Sequence, residues 1–176
     1  SLPYICSTLG YMFSMGATPE LSKEYMKLYK DRDMDGAKNL FKVSNFTLFI
    51  AILIASMVVY IFAYDIVNIF TTHPSISEKK SIIAETLRIF AISTPFVGLK
   101  YASVAALAPS GRTNAHSNYV IIWSLLRMTI FLLLAYHSFF YAVVFLAIER
   151  ALSGLLYMCY SWNYLTNNYD KVTLSS

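Results

Sequence analysis

Two oppositely charged residues lie deep inside apolar segments near the carboxyl end of the chain. Arg127 and Glu149 each fall eleven positions from Ser138, which lies in the short polar link between two apolar runs. Runs of about 20 apolar residues can cross a bilayer as helices, and so short a link makes the two helices antiparallel. With a rise of about 1.5 Å per residue, both side chains lie near the middle of the membrane. Because an isolated charge there is costly, we expect Arg127 and Glu149 to form a cross-helix ion pair.

A second set of polar residues falls on one face of the preceding apolar segment. With a rotation of about 100° per residue, four side chains share a single stripe: Glu85, Arg88, Lys100 and Ser103. This stripe predicts a face turned toward protein or a water-filled cavity, and Glu85 and Arg88 are spaced to pair along the helix. Lys100 has two interpretations, since it could line the cavity or extend to the cytoplasmic interface. Pro95 would free a backbone carbonyl where a transport helix bends.

These buried polar residues are the candidates for function, because the sequence has no recognisable catalytic or metal-binding motif. HExxH, GxSxG and a phosphate-binding glycine loop are absent, and Cys6 and Cys159 lie far apart in apolar segments. We therefore predict no enzyme activity, no catalytic residues, no metal site and no cofactor, while sodium or a proton could serve as a coupling ion. The candidates are Glu85, Arg88, Pro95, Lys100, Ser103, Arg127 and Glu149.

The composition indicates that the lipid bilayer is the solvent of this chain. Of its 176 residues 57% are hydrophobic and only 14% are charged, whereas soluble domains carry about 25% charged residues. The net charge of +4 does not indicate nucleic-acid binding, because the basic residues are interleaved with acids around one polar stretch. We expect an all-α integral membrane domain over residues 1–165, followed by a cytoplasmic tail over residues 166–176.

Five apolar segments are predicted to be transmembrane helices, and the closing pair is expected to organise the bundle. The clearest segment, residues 46–64, contains no charged side chain. Outside the spans, eight basic residues fall on the side of the carboxyl terminus and only Lys79 and Lys80 on the other, which places the carboxyl terminus in the cytoplasm. The helices are predicted near residues 2–28, 45–70, 81–108, 118–136 and 139–163.

The order of four short segments resembles the multidrug and toxic compound extrusion (MATE) transporter family. They are similar to its small-residue helix, its cytoplasmic turn, the end of its return helix and the helix that follows. The segments are residues 14–23, 30–37, 66–71 and 87–98, with Gly111 after the last. The likeness covers nearly the whole chain but under half of the family's usual length.

The resemblance implies one of two six-helix bundles around a substrate cavity, here without its first helix. It implies secondary active efflux of amphipathic, often cationic compounds by sodium or proton antiport, as part of a larger multi-pass transporter in the cell membrane. The polar tail favours the carboxy-terminal bundle, and the missing half of the transporter would then be the partner. The sodium-coupled branch carries an acid near Leu99, where this chain has Lys100, so cation binding at that position is not expected.

Three other functions are compatible with the residues. The chain could be a lipid-linked saccharide flippase of the same superfamily, or a non-transporting membrane subunit. It could also be a gene fragment, because it opens inside an apolar segment without an initiator methionine. An integral membrane enzyme is disfavoured, since no paired polar residues flank the membrane interfaces.

Overall fold

The computed structural model describes the backbone of residues 2–70, 79–110 and 113–173, and the side chains of residues 16–69, 79–109 and 122–167. Every regular element in these ranges is helical, which confirms the all-helical prediction. A 3₁₀ turn, Ala108–Ser110, follows the fourth helix. The α-helices in chain order are α1 (Leu2–Lys30), α2 (Met34–Ile61), α3 (Ala63–Phe70), α4 (Lys80–Leu107), α5 (Thr113–His137) and α6 (Phe139–Thr173).

Three helical segments are long and apolar enough to cross a membrane. They are Met34–Ile61, Lys80–Leu107 and Phe139–Asn167, whereas Ile122–His137 of α5 is apolar but shorter. This length and composition indicate a membrane protein. Spans in α1 and α5 stay predictions, because the side chains of residues 1–15 and 110–121 lie outside the described residues.

The predicted helix over residues 45–70 is wrong at its start and in its continuity. The helix begins at Met34, where the Asp33 side chain accepts a hydrogen bond of 2.8 Å from the backbone amide of Gly36. This cap satisfies an amide that the first helical turn leaves unpaired, so α2 starts directly after the turn from α1. The helix is interrupted at Phe62, and the remainder forms the separate short helix α3.

The last helix extends ten residues beyond its predicted end at residue 163. The backbone of α6 is helical as far as Thr173, so most of the predicted tail is a continuation of the helix. Polar side chains bond along it, including Asn167 Nδ2 to Asn163 Oδ1 at 2.9 Å. The segment contains no glycine or proline to end the helix, and a change to polar composition alone does not break one.

The centre of the bundle is α4, and the prediction that the α5–α6 hairpin organises the fold is wrong. The fourth helix packs along α1, α2 and α6, whereas α5 packs mainly on α6. In the apolar stretch of α4, 56% of the residues are buried, against 22% in α2 and α6. Small residues such as Ala102, Ala105 and Ala106 are almost fully buried in α4 and let neighbouring helices approach closely.

The helices α4 and α6 run parallel and side by side, because α5 returns the chain between them. Four contacts along the pair keep nearly the same register, since each joins residues 57 to 60 positions apart in the sequence. The pairs are Phe90 with Arg150, Phe96 with Gly154, Lys100 with Tyr157 and Ser103 with Ser161. This register places Arg150 beside Phe90, whereas Lys100 lies ten residues further along α4, about 15 Å at a rise of about 1.5 Å per residue.

Candidate functional site

The ion pair expected from the spacing around Ser138 is present across the α5–α6 hairpin. Arg127 Nη1 lies 3.7 Å from Glu149 Oε2. The glutamate side chain is only 4% exposed, whereas the arginine side chain is 39% exposed. The acid is therefore enclosed by the bundle, and its cationic partner lies at the edge.

Glu149 also accepts a shorter hydrogen bond, which the spacing around Ser138 does not predict. Trp123 Nε1 donates to Glu149 Oε1 at 2.7 Å, a length typical of a bond to an ionised acceptor. Trp123 precedes Arg127 by four residues, so both side chains project from the same face of α5. From this i, i+4 spacing, Trp123 could have been predicted as a second partner of Glu149. Each carboxylate oxygen of Glu149 thus has its own partner.

Two further cations lie around this carboxylate. Arg150 stacks on α4, with its guanidinium carbon 4.7 Å from the ring centre of Phe90. Lys100 Nζ lies 5.3 Å from the ring centre of Tyr157. Both cations interact electrostatically with Glu149 and with Arg127. We call Lys100, Arg127, Glu149 and Arg150 the charged cluster.

The charged cluster has more positive than negative charge. Among the described residues, Glu149 is the only carboxylate that interacts with Lys100 or Arg150. Glu85 is exposed and lies about 22 Å along α4 from Lys100 at a rise of about 1.5 Å per residue. Three cations therefore interact with one anion, and Lys100 and Arg150 lie in helices that are long and apolar enough to cross a membrane.

The polar stripe predicted on α4 is divided among different neighbours. Arg88 faces α2, where its Nε donates to the carbonyl oxygen of Tyr60 at 3.4 Å and its guanidinium lies 5.6 Å from the ring centre of Tyr60. Arg88 is thus engaged by Tyr60 on α2, whereas Glu85 lies exposed. Of the four residues in the stripe, the structure brings only Lys100 into the charged cluster.

Pro95 lies fully buried inside α4. It removes one amide donor from the helix, and the hydroxyls of Ser93 and Thr94 bond the nearby carbonyl of Phe90 at 3.0 and 2.7 Å. These bonds keep the local polar groups inside the helix. Pro95 therefore belongs to the packed interior of the described bundle.

Ser103 joins three helices through buried hydrogen bonds. Its hydroxyl donates to Asn45 Oδ1 of α2 at 3.2 Å, and its carbonyl accepts from the Ser161 hydroxyl of α6 at 2.8 Å. Asn45 Nδ2 also donates to the carbonyl of Phe41 at 2.9 Å. Ser103 is 0% exposed, so in the described structure it is a link between helices and does not line an open cavity. Asn45 and Ser161 are further residues that the polar pattern of α4 alone does not reveal.

An apolar groove of about 770 Å³ lies between α2 and α6, with Phe96 and Leu99 of α4 at its floor. On a helical wheel of α6, with about 100° per residue and Gly154 facing α4, one side holds Glu149, Arg150 and Tyr157. The lining residues Leu155, Met158, Cys159 and Trp162 fall on the other side. The groove and the charged cluster are thus separate features on opposite sides of the α4–α6 contact.

Together the described residues form an all-helical chain that has three helices long and apolar enough to cross a membrane and a cluster with more positive than negative charge. Comparisons with models of protein families, with curated proteins and with solved structures found no match. The resemblance to MATE transporters therefore rests on the sequence segments alone, and the family stays a prediction. Within the described residues, no group of three or more His, Cys, Asp or Glu side chains is placed to hold a metal ion.

Proposed function

We propose that the chain is one helical bundle of a secondary active transporter that exports amphipathic compounds by antiport against protons or sodium ions. The observation that supports this most strongly is Glu149, a buried carboxylate in an apolar helix beside three cations. Ionisable groups inside membrane helices are costly and mark substrate or proton pathways. A purely structural ion pair needs one cation. The two additional cations favour a site that binds or transfers ions.

In this proposal Glu149 is the coupling residue, and Arg127 controls its protonation. Arg127 lies at the edge of the bundle, on a helix that packs mainly against α6, so it can leave the carboxylate without crossing the core. When Arg127 moves away, Glu149 Oε2 loses its ion-pair partner, and a proton or a sodium ion can take that place. When Arg127 returns, the coupling ion is displaced, so each ion exchange accompanies a movement of α5 against α6.

The proposal places five spans of a multi-pass protein in the cell membrane, with the carboxyl terminus in the cytoplasm. It also includes a second helical bundle, the missing half of the transporter, as partner. The charged cluster lies on the face of α6 opposite the groove and is open at Arg127. A second bundle against this face would enclose a cavity for a small-molecule substrate between the two halves.

The test is transport in proteoliposomes that contain the whole gene product to which this chain belongs, driven by an imposed proton or sodium gradient. We expect Glu149→Gln to abolish gradient-driven efflux of a fluorescent amphipathic probe, because the amide cannot exchange a proton yet still accepts from Trp123. Glu24→Gln, the same change at an exposed glutamate of α1, is the control. Wild-type efflux by Glu149→Gln would remove Glu149 from coupling. A wild-type protein that moves no cationic, zwitterionic or anionic probe would overturn the transport function.

A further inference from the structure

We propose that the charged cluster binds an anionic group, a carboxylate or a phosphate, carried by an amphipathic molecule. This names the substrate class of the site on which the proposed function rests. Three of its four members are cations, namely Lys100, Arg127 and Arg150, and one is an anion. Without a ligand, the cluster holds two positive charges that no described carboxylate balances.

The contacts within the protein do not compensate this charge. The aromatic rings under Arg150 and Lys100 each contribute about 0.5–2 kcal/mol through cation–π attraction. Removing an ion from water costs several kcal/mol even after the protein relaxes. Glu149 can offset only one of the three cations. The cost of burying the two remaining positive charges favours a bound anion.

The geometry of Arg150 supplies donors for that anion. Its Nη1 atom is buried and has no hydrogen-bond partner among the described residues. Its guanidinium carbon lies 4.7 Å from the ring centre of Phe90, and the planar fork of a guanidinium suits the two oxygens of a carboxylate or phosphate. Lys100 adds a positive charge on the neighbouring helix, and both cations interact with the same Glu149.

A cationic ligand does not fit this arrangement. Both oxygens of Glu149 are engaged, one by Trp123 at 2.7 Å and the other by Arg127 at 3.7 Å. A cation that approached the carboxylate would also meet three like charges. The cluster therefore selects anionic or zwitterionic amphiphiles, in contrast to the cationic compounds that the family resemblance implies.

Access to the cluster is through Arg127. Its side chain is 39% exposed, whereas that of Glu149 is 4% exposed. An anion that enters from this edge meets Arg127 first and the two interior cations behind it. The polar head thus reaches the cluster while an apolar tail stays against exposed apolar side chains of α5, such as Leu126 and Leu133.

Equilibrium binding tests the proposal through the fluorescence of Trp123, which bonds Glu149 directly. The chain has two tryptophans, so Trp162→Phe leaves Trp123 as the only reporter. The protein is placed in phosphatidylcholine nanodiscs and titrated with dodecyl phosphate, dodecanoate and, as a cation with the same tail, dodecyltrimethylammonium. We expect saturable spectral changes with the two anions only.

Matched variants separate the cluster from general electrostatics. Lys100→Met and Arg150→Met should each weaken dodecyl phosphate binding about tenfold or more, the loss expected for one charge-assisted hydrogen bond. Lys42→Met is the control. Lys42 Nζ also lies 5.3 Å from an aromatic ring centre, that of Trp162, but Lys42 borders the groove. The control variant and the protein with which it is compared both carry Trp162→Phe. Lys100→Arg keeps the charge and should bind within about threefold of wild type. Arg150→Lys keeps the charge but loses the planar fork, so it should bind more weakly than wild type and more tightly than Arg150→Met. This ranking distinguishes lost charge from lost folding.

Each result supports or overturns the proposal. Equal binding of dodecyltrimethylammonium, or unchanged binding by both methionine variants, overturns it. Displacement of dodecyl phosphate by phosphatidic acid in the nanodisc identifies a lipid headgroup as the source of the anion, and displacement by soluble inorganic phosphate identifies a free anion. Anion binding without gradient-driven transport would support the anion site and overturn the transport function. Transport of cations without anion binding would support the transport function and overturn the anion site.

Discussion

Gly154 of α6 lies directly against the backbone carbonyl of Phe96 in α4. A Cβ atom at position 154 would collide with the oxygen and carbon of that carbonyl, which belong to the main chain and cannot rotate away. This close approach brings α6 near enough for Arg150 to stack on Phe90 and for Ser161 to bond Ser103. One glycine thus sets the distance between the two helices that build the charged cluster.

We therefore expect Gly154→Ala to destabilise the bundle by about 1–3 kcal/mol, the usual cost of adding a methyl group to a filled interface. Gly98→Ala should cost less, since its Cβ would meet the end of the flexible Ile52 side chain. Gly16→Ala is the control, because no described atom lies within 4 Å of its Cβ position. That change should be neutral or stabilising by about 0.5–1 kcal/mol through helix propensity.

Denaturant unfolding in detergent micelles, followed by circular dichroism, ranks the three glycine variants. The expected order of stability is Gly16→Ala, then Gly98→Ala, then Gly154→Ala. Equal stability of the variants at 154 and 16 would contradict the close contact between α4 and α6.

The hydrogen bonds of Ser103 supply a second prediction. Ser103→Ala removes the bond to Asn45 on α2 and should lower stability by about 0.6–2 kcal/mol, the range for side-chain bonds between membrane helices. Asn45→Ala added to Ser103→Ala should cost less than it does in the wild type, because the shared bond is already lost.

The control is Ser153→Ala, because the Ser153 hydroxyl donates to the carbonyl of Arg150 within its own helix, at 3.1 Å. This variant should unfold close to wild type. A loss from Ser153→Ala as large as that from Ser103→Ala would mean that the link between α2 and α4 contributes nothing specific.

Sequence spacing predicted the Arg127–Glu149 pair because a hairpin is locally symmetric. Once the turn is placed at Ser138, residues equally distant from it lie at the same depth on the two helices, and the cost of an isolated charge favours a pair where two such residues have opposite charges. The environment of α4 could not be predicted in this way. Periodicity shows that Arg88, Lys100 and Ser103 share a broad face, but each side chain turns toward whichever helix packs beside it.

The dependence on neighbouring helices also explains why the contact of Arg150 with α4 and the central position of α4 were not predicted. Arg150 points about 100° away from Glu149 on α6, and that direction has meaning only when α4 is known to lie there. The apolar runs of all the long helices look alike in sequence. Which of them is surrounded by the others depends on contacts between residues far apart in the chain.

Topology is open to direct measurement by cysteine labelling. The basic-residue asymmetry predicts that Asp31 faces the cytoplasm and Lys79 the opposite side, and both side chains are exposed. In a background without Cys6 and Cys159, Asp31→Cys should react with a membrane-impermeant maleimide only after the cells are opened, and Lys79→Cys should react in intact cells. Asp31 is preferred to Asp33, whose side chain caps α2. The reverse labelling pattern would invert the orientation.

The last prediction concerns the energy of the Arg127–Glu149 pair. Arg127→Met and Glu149→Gln should each destabilise the protein, by up to about 3–5 kcal/mol, because each removes one member of a charge pair inside the bundle. Glu149→Gln should be the costlier change, since it leaves three cations without a carboxylate, whereas in Arg127→Met the Glu149 side chain keeps Lys100, Arg150 and the Trp123 bond. The double variant should lose less than the sum of the single losses, by about 0.5–3 kcal/mol.

Denaturant unfolding of the four proteins in the cycle measures this coupling. A parallel cycle with Lys42→Met and Glu149→Gln is the control, because Lys42 borders the groove on the other side of α6, and its losses should add within about 0.5 kcal/mol. Additive losses in the Arg127 cycle would show that proximity at 3.7 Å gives no net attraction. In that case the Trp123 bond of 2.7 Å would be the main interaction of Glu149, and Trp123→Phe should then cost more than Arg127→Met.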